Sequence, residues 1–131
     1  MKLFVQEQKS LLWKRLDKWQ SNLEIGMTKE KYLTLCEQMG QEPSEEKCPP
    51  DYEDFPVPVQ QAIEVFNKLG DRVVADIGYV GKYYETLPLH MEILGVESKE
   101  IFLETLLRLD ANMIKRSNDE MKKARDRLKK K

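Results

Sequence analysis

From Ser98 to Lys131 the chain contains neither glycine nor proline, and this run constrains the fold more than any other feature. Ser98 is a good N-cap, and nothing after it breaks a helix, so one helix is expected over 98–130. At 1.5 Å per residue it is roughly 50 Å long, more than the width of a domain of this size. It must therefore project beyond whatever its first half packs against. That first half is apolar, with Ile101, Phe102, Leu103, Leu106, Leu107, Leu109, Met113 and Ile114; the second keeps only Met121, Ala124 and Leu128 among charges. Leu107, Ile114, Met121 and Leu128 are spaced by seven, as a coiled-coil seam requires, although Asp110 and Ser117 interrupt the intervening positions.

Upstream, hydrophobic periodicity marks further helices. Val5, Leu12, Leu16, Trp19 and Leu23 share one face of a helix over 3–23, with Trp13 beside it, and Ile25-Gly26 ends it. Thr28 caps a second helix whose apolar side is Tyr32, Leu35, Cys36 and Met39, with Gly40 as its left-handed stop. A third covers 59–69, with Val59, Ala62, Ile63, Phe66 and Leu69 inward and Gly70 as cap. The stretch 71–86 fits helix or strand and is assigned as helix then turn. Leu87 to Leu94 reads as helix, Pro88 being tolerated in its first turn.

Between the second and third helices, residues 41–58 lose all periodicity. Pro43, Pro49, Pro50, Pro56 and Pro58 lie among Glu45, Glu46, Asp51, Glu53 and Asp54, an acidic, proline-rich loop long enough to suggest a function of its own. The charged fraction of 34 % exceeds the roughly 25 % usual for globular chains, as long solvated helix faces require. Net charge is only −1, but nine of the 22 Lys/Arg and three of the 23 Asp/Glu fall in 114–131, which leaves 13 basic and 20 acidic residues elsewhere. An acidic body thus carries a basic tail. No apolar run approaches the roughly 20 residues of a bilayer span, nothing at the N-terminus reads as a signal peptide, and two cysteines are too few for a disulfide scaffold. The expectation is an intracellular protein with reduced thiols and no membrane association.

Few residue combinations point to catalysis or a cofactor. His90 is the only histidine and sits among Leu87, Leu89, Met91, Ile93 and Leu94, as a structural or surface histidine would. Cys36 and Cys48 lack zinc-site spacing, and with His90 they fall one ligand short of a closed site. Asp51, Glu53 and Asp54 lack the alternation and glycine of a calcium loop. Gly78-Tyr79-Val80-Gly81-Lys82 has Asp76 and Tyr83 where a phosphate loop needs Gly and Ser or Thr; a tight turn with Gly78 or Gly81 at positive φ is the plainer reading. No enzyme activity, metal or cofactor is expected.

Binding is better supported. Tyr52 and Phe55, flanked by acids, either anchor a partner or pin the loop to its own domain. Leu107, Ile114, Met121 and Leu128 offer a seam for a protein partner or for self-association into a homo-oligomer. Lys115, Arg116, Lys122, Lys123, Arg125 and Arg127, with Lys129 to Lys131, could instead neutralise phosphates in a salt-sensitive way. That tail has no aromatic residue on which bases would stack, and a basic C-terminal turn complements the helix dipole with no partner at all.

The runs YLTLCEQMGQEP, DFPVPVQQAIEVFNKLGDRVVADIGYVGKYYETLP and ETLLRLDANMIKRSNDEMKKARDRLKKK resemble small proteins of large contractile-tailed bacteriophages, including those of marine bacteria. The resemblance spans 32–131 and rests on Asp54-Phe55-Pro56, Phe66-Asn67, Gly70-Asp71-Arg72, Gly78 to Lys82 and Ile114 to Ser117. It implies a phage origin, a role in virion assembly or as an infection accessory, and a location in the host cytoplasm or the virion. It implies no catalytic residue. The expected fold is one all-α domain over 1–131, with four or five helices. The first, third and last form its core, and the basic C-terminal helix protrudes.

Overall fold

The computed structural model describes residues 2–129, with side chains from residue 8 onward; the side chains of Leu3 and Val5, and Lys130 and Lys131 of the basic end, lie outside the described residues. The protein divides into two compact units, Met1–Pro56 and Val57–Lys131.

The first unit holds helices α1 (Lys2–Glu24) and α2 (Lys29–Met39), followed by the acidic loop. Gly26, at φ 70°, turns the chain between them. The Thr28 side chain accepts from the Lys31 amide at 3.2 Å, which satisfies one of the amides that a helix start leaves unpaired. Gly40 closes α2 at φ 67°, with its own amide returned to the last turn. The loop is folded back on local bonds. The Ser44 amide donates to the Tyr32 hydroxyl at 3.1 Å, and Asp51 and Asp54 form a reciprocal capping box around a 3-10 turn at Tyr52–Asp54. Phe55 is buried and meets Trp19 edge to face, ring centroids 6.0 Å apart.

The second unit runs α3 (Val57–Lys68), β1 (Asp71–Val74), β2 (Gly78–Lys82), α4 (Leu87–Leu94) and α5 (Lys99–Lys129). Its core lies between α3 and α5: Val59, Ala62, Ile63, Val65, Phe66 and Leu69 face Phe102, Leu106 and Leu109, all buried. Burying a side chain such as Leu106 stabilises by about 2 kcal/mol. The helix α3 starts at Val57 rather than 59, because Pro58 falls in the first turn, where its missing N–H is not needed. Gly95 ends α4 in the left-handed region at φ 62°, whereas Gly70 does not adopt a positive φ; its carbonyl instead accepts from the Tyr83 amide at 2.8 Å. The expected cap at Gly70 is thus the entry to a strand.

The architecture is mostly helical but not all-α, because 71–82 forms an antiparallel hairpin instead of the expected helix and turn. Val73 and Val74 are stiff β-branched residues that suit a strand. The turn at 75–77 places Asp76 at φ 69° and leads into Gly78 at φ 96°, a conformation that Asp tolerates and Gly favours. Arg72 pairs with Gly81 and Val73 with Tyr79, so Val80 is the extra residue of a bulge, and Gly81 adopts φ 126° there.

Two glycines provide a contrast. A Cβ at Gly78 would sit 2.7 Å from Ser117 Oγ and 3.4 Å from Met121 Cγ, whereas one at Gly40 would meet nothing within 4 Å. Both carry positive φ. Gly40→Ala is expected to cost about 1 kcal/mol from backbone strain alone, and Gly78→Ala about 2–3 kcal/mol because a clash adds to the strain. Urea unfolding midpoints of the two variants check this; equal losses would refute the close approach.

Candidate functional site

Residues spaced by three and four along a helix share one face, and on α5 this brings Asp110, Ile114, Ser117 and Met121 into a line. The hairpin lies along that line. A Cβ at Gly81 would stand 3.3 Å from Asp110 Oδ2 and 3.7 Å from Ile114 Cδ1, so a side chain here would crowd the carboxylate as well as strain a backbone at φ 126°. Tyr79 and Tyr84 each donate their phenolic hydroxyl to the Asp110 carboxylate, and the Lys82 amide donates to Asp110 Oδ2 at 3.2 Å. One turn pair further on, Ser117 Oγ accepts from the Tyr79 amide at 3.0 Å. Asp110 is itself buried, so these three donors replace the water that its charge has lost.

Lys82 is the other buried charge. Its ammonium stands 4.5 Å over the Phe66 ring, donates to the Leu69 carbonyl at 3.3 Å and pairs with the Asp71 carboxylate. Gly78 to Lys82 is thus a strand seated on α5, with the Tyr79 and Lys82 amides bound to side chains of that helix. Among the described residues no buried side-chain nitrogen or oxygen lacks a partner. The polar cluster fastens the hairpin to the helix, and both Asp110 oxygens are occupied in doing so.

Burial pushes the Tyr79 and Tyr84 phenols above their ordinary value, and the Asp110 carboxylate that they face pushes them further in the same direction. In the first unit, the Asp51 amide, bonded to Asp54 at 2.9 Å, holds the Asp54 carboxyl below its ordinary value, with Lys29 at 3.3 Å adding to the effect.

The residues singled out from sequence are dispersed. Phe55 is buried against Trp19 and so pins the loop; it offers no anchor to a partner. Tyr52, half-buried, opens the 3-10 turn. Of the seven-spaced seam, Ile114 and Met121 lie beneath the hairpin and are half-buried, while Leu107 and Leu128 are 58 % and 73 % exposed. The line is therefore no continuous free seam: its middle is the hairpin's seat. Lys115 is exposed, Arg116 half-buried, and from Lys122 to Lys129 every described side chain, including Lys123, Arg125 and Arg127, is exposed. His90 sits half-buried on α4, Cys36 is buried on α2, and Cys48 is half-buried in the loop. No protein-family model, curated protein or solved structure matches the chain.

Sequence reasoning missed Asp110, Ser117, Tyr79, Tyr84 and Lys82 as a group. The available signal was a pair of polar residues seven apart inside an apolar line, which require hydrogen-bond partners from another element.

Replacing Asp110 by Ala removes the acceptor for two hydroxyls and a buried amide, and is expected to cost about 3 kcal/mol. The phenols add a pH signature. Below their ordinary value of 10.0 both are protonated, folded or unfolded, and the contribution is fully present. Above it the unfolded chain releases protons that the folded chain keeps, so stability falls as pH rises. Urea midpoints measured from neutral to strongly alkaline pH should fall above that value, and less steeply in Tyr79→Phe/Tyr84→Phe. Identical pH slopes in the two proteins would refute the assignment.

Proposed function

We propose that the chain is a non-catalytic protein-binding factor of a tailed phage, acting in virion assembly as an accessory, a chaperone or a minor structural component. It works in the host cytoplasm during infection and passes in some part to the virion. The phage setting rests on the resemblance of 32–131 described above. The binding role rests on one observation: α5 runs on past the hairpin as a bare helix whose side chains from Lys122 to Lys129 are all exposed. With the acidic loop, whose Glu42, Glu45 and Glu53 are exposed, this end supplies the contact surfaces of that role. No described helix is long and apolar enough to cross a membrane.

The same bare helix supports a second reading, a nucleic-acid-associated factor that uses Lys115, Arg116, Lys122, Lys123, Arg125 and Arg127. Phosphate contacts by such cations are sequence-independent and weaken steeply with salt. Truncation is a poor test, because cutting after Met113 removes Ser117 and Met121 from beneath the hairpin.

Affinity capture of the tagged protein from infected-cell lysate, with and without nuclease, separates the two. Proteins that co-purify after nuclease treatment, and are lost when Lys122, Lys123 and Arg127 are replaced by Ala, are the expected result. Partners that vanish with nuclease would transfer the role to nucleic acid.

A further inference from the structure

The two edges of the hairpin differ. In an antiparallel pair the backbone groups of alternate residues point away from the neighbouring strand. The Tyr83 amide donates to the Gly70 carbonyl, which fixes the alternation: Asp71–Lys82 and Val73–Tyr79 are the pairs whose groups point outward. On the β2 side α5 takes up those amides, Asp110 accepting from Lys82 and Ser117 from Tyr79. On the β1 side no described residue beyond the hairpin bonds the backbone of Asp71 or Val73. All four residues of that strand are exposed.

An open edge of this kind is a template for one further strand. Water can serve its amides and carbonyls, but the side chains along it are apolar: Val73 is 70 % exposed, Val74 43 % and Ile77, in the turn, 54 %. The strand carries neither lysine nor proline, and the bulge lies on β2, so the usual means of blunting such an edge are largely absent. Its two charges are unequally engaged. Asp71 is paired with the buried Lys82, whereas Arg72 lies 5.9 Å over the Tyr83 ring and meets no carboxylate among the described residues. The charge open to a partner is positive.

We propose that the outer edge of β1 binds an extended segment of a partner protein, a run of β-branched residues with one acidic residue opposite Arg72. The segment adds a third strand to the hairpin. Its backbone pairs with the outward groups of Asp71 and Val73, and its side chains flank Val73 on one face and Val74 on the other. Asp110 and Ser117 hold the hairpin from the opposite edge, so the template is ordered before the partner arrives and less entropy is lost on binding. This surface is separate from the basic end of α5 and goes beyond the role proposed for that end.

The probe is the capped peptide Thr-Val-Glu-Val-Thr-Val, titrated into isotope-labelled full-length protein and followed by amide NMR. Shifts centred on Asp71 to Val74 are expected, with slowed exchange of the Asp71 and Val73 amides. The same peptide methylated on the two valine amides that flank its glutamate keeps every side chain but loses the donors facing β1. It binds on the order of tenfold more weakly. Val73→Lys weakens binding of the unmodified probe, and Arg72→Glu shifts the preference to a probe with lysine in place of glutamate. Both substituted positions are exposed, and the unchanged remainder of each spectrum verifies the fold. No shift at millimolar peptide, equal binding of the methylated peptide, or shifts centred on Lys122 to Lys129 overturns the proposal. So does slowed exchange at Asp71 and Val73 that grows with protein concentration in the absence of peptide, which would make a second copy the occupant. Lys122→Ala/Lys123→Ala/Arg127→Ala leaves probe binding unchanged, so failure of this edge and failure of the α5 reading are distinguishable.

Discussion

A buried carboxylate in the middle of a long helix must be surrounded by donors, and Asp110 obtains them from the hairpin. Two phenols and the Lys82 amide converge on its two oxygens. This requirement dictates much of the second unit. It explains a hairpin at 71–82, where a helix would spend the Lys82 amide on its own hydrogen bonding and set Tyr84 off the face shared by Tyr79 and Lys82. It explains Gly81, whose missing side chain lets the strand approach the carboxylate, and Gly78, whose missing side chain makes room for Ser117. An apolar residue at position 110 would leave the strand without its central attachment.

The helix α5 consequently has three successive roles. Its first turns bury Phe102, Leu106 and Leu109 against α3. Its middle, from Asp110 to Met121, seats the hairpin. Its last turns bear charges and make no comparable packing. Few helices could serve all three purposes if glycine or proline interrupted them, since a kink between the seat and the end would redirect the charges.

Much of this was legible in the sequence, for reasons that differ from element to element. The extent of α5 followed from the absence of breakers, and the inward face of α3 from its 3.6-residue period; Val59, Ala62, Ile63, Phe66 and Leu69 are all buried. Thr28 and Gly40 bracketed α2 because capping is local chemistry. The hairpin was not legible, because Arg72 to Ile77 is short and apolar enough to suit either period, and tertiary contact with α5 decides between them. The seam was misread for the same reason. A seven-residue spacing records that a face is apolar without saying what covers it. Asp110 and Ser117, which look like flaws in a coiled coil, are the attachment points of an intramolecular partner. Phe55 could serve a partner or its own unit, and Trp19, 36 residues away in sequence, settled which.

The end of α5 persists as helix without packing because local terms suffice. Arg127 and Lys129 lie in the last turn, where the helix dipole is negative. Each term is worth only a few tenths of a kcal/mol, but the segment is continuous with a helix that the core and the hairpin already hold, so no nucleation cost remains. Stability and charge display therefore occupy different stretches of one helix. Substitutions at the exposed cations leave the hydrogen bonds at Asp110 and the core at Phe102 untouched. Substitutions at Asp110 act on the fold and keep the cations in place. The two sets of residues answer separate questions, and the helix allows each to be asked alone.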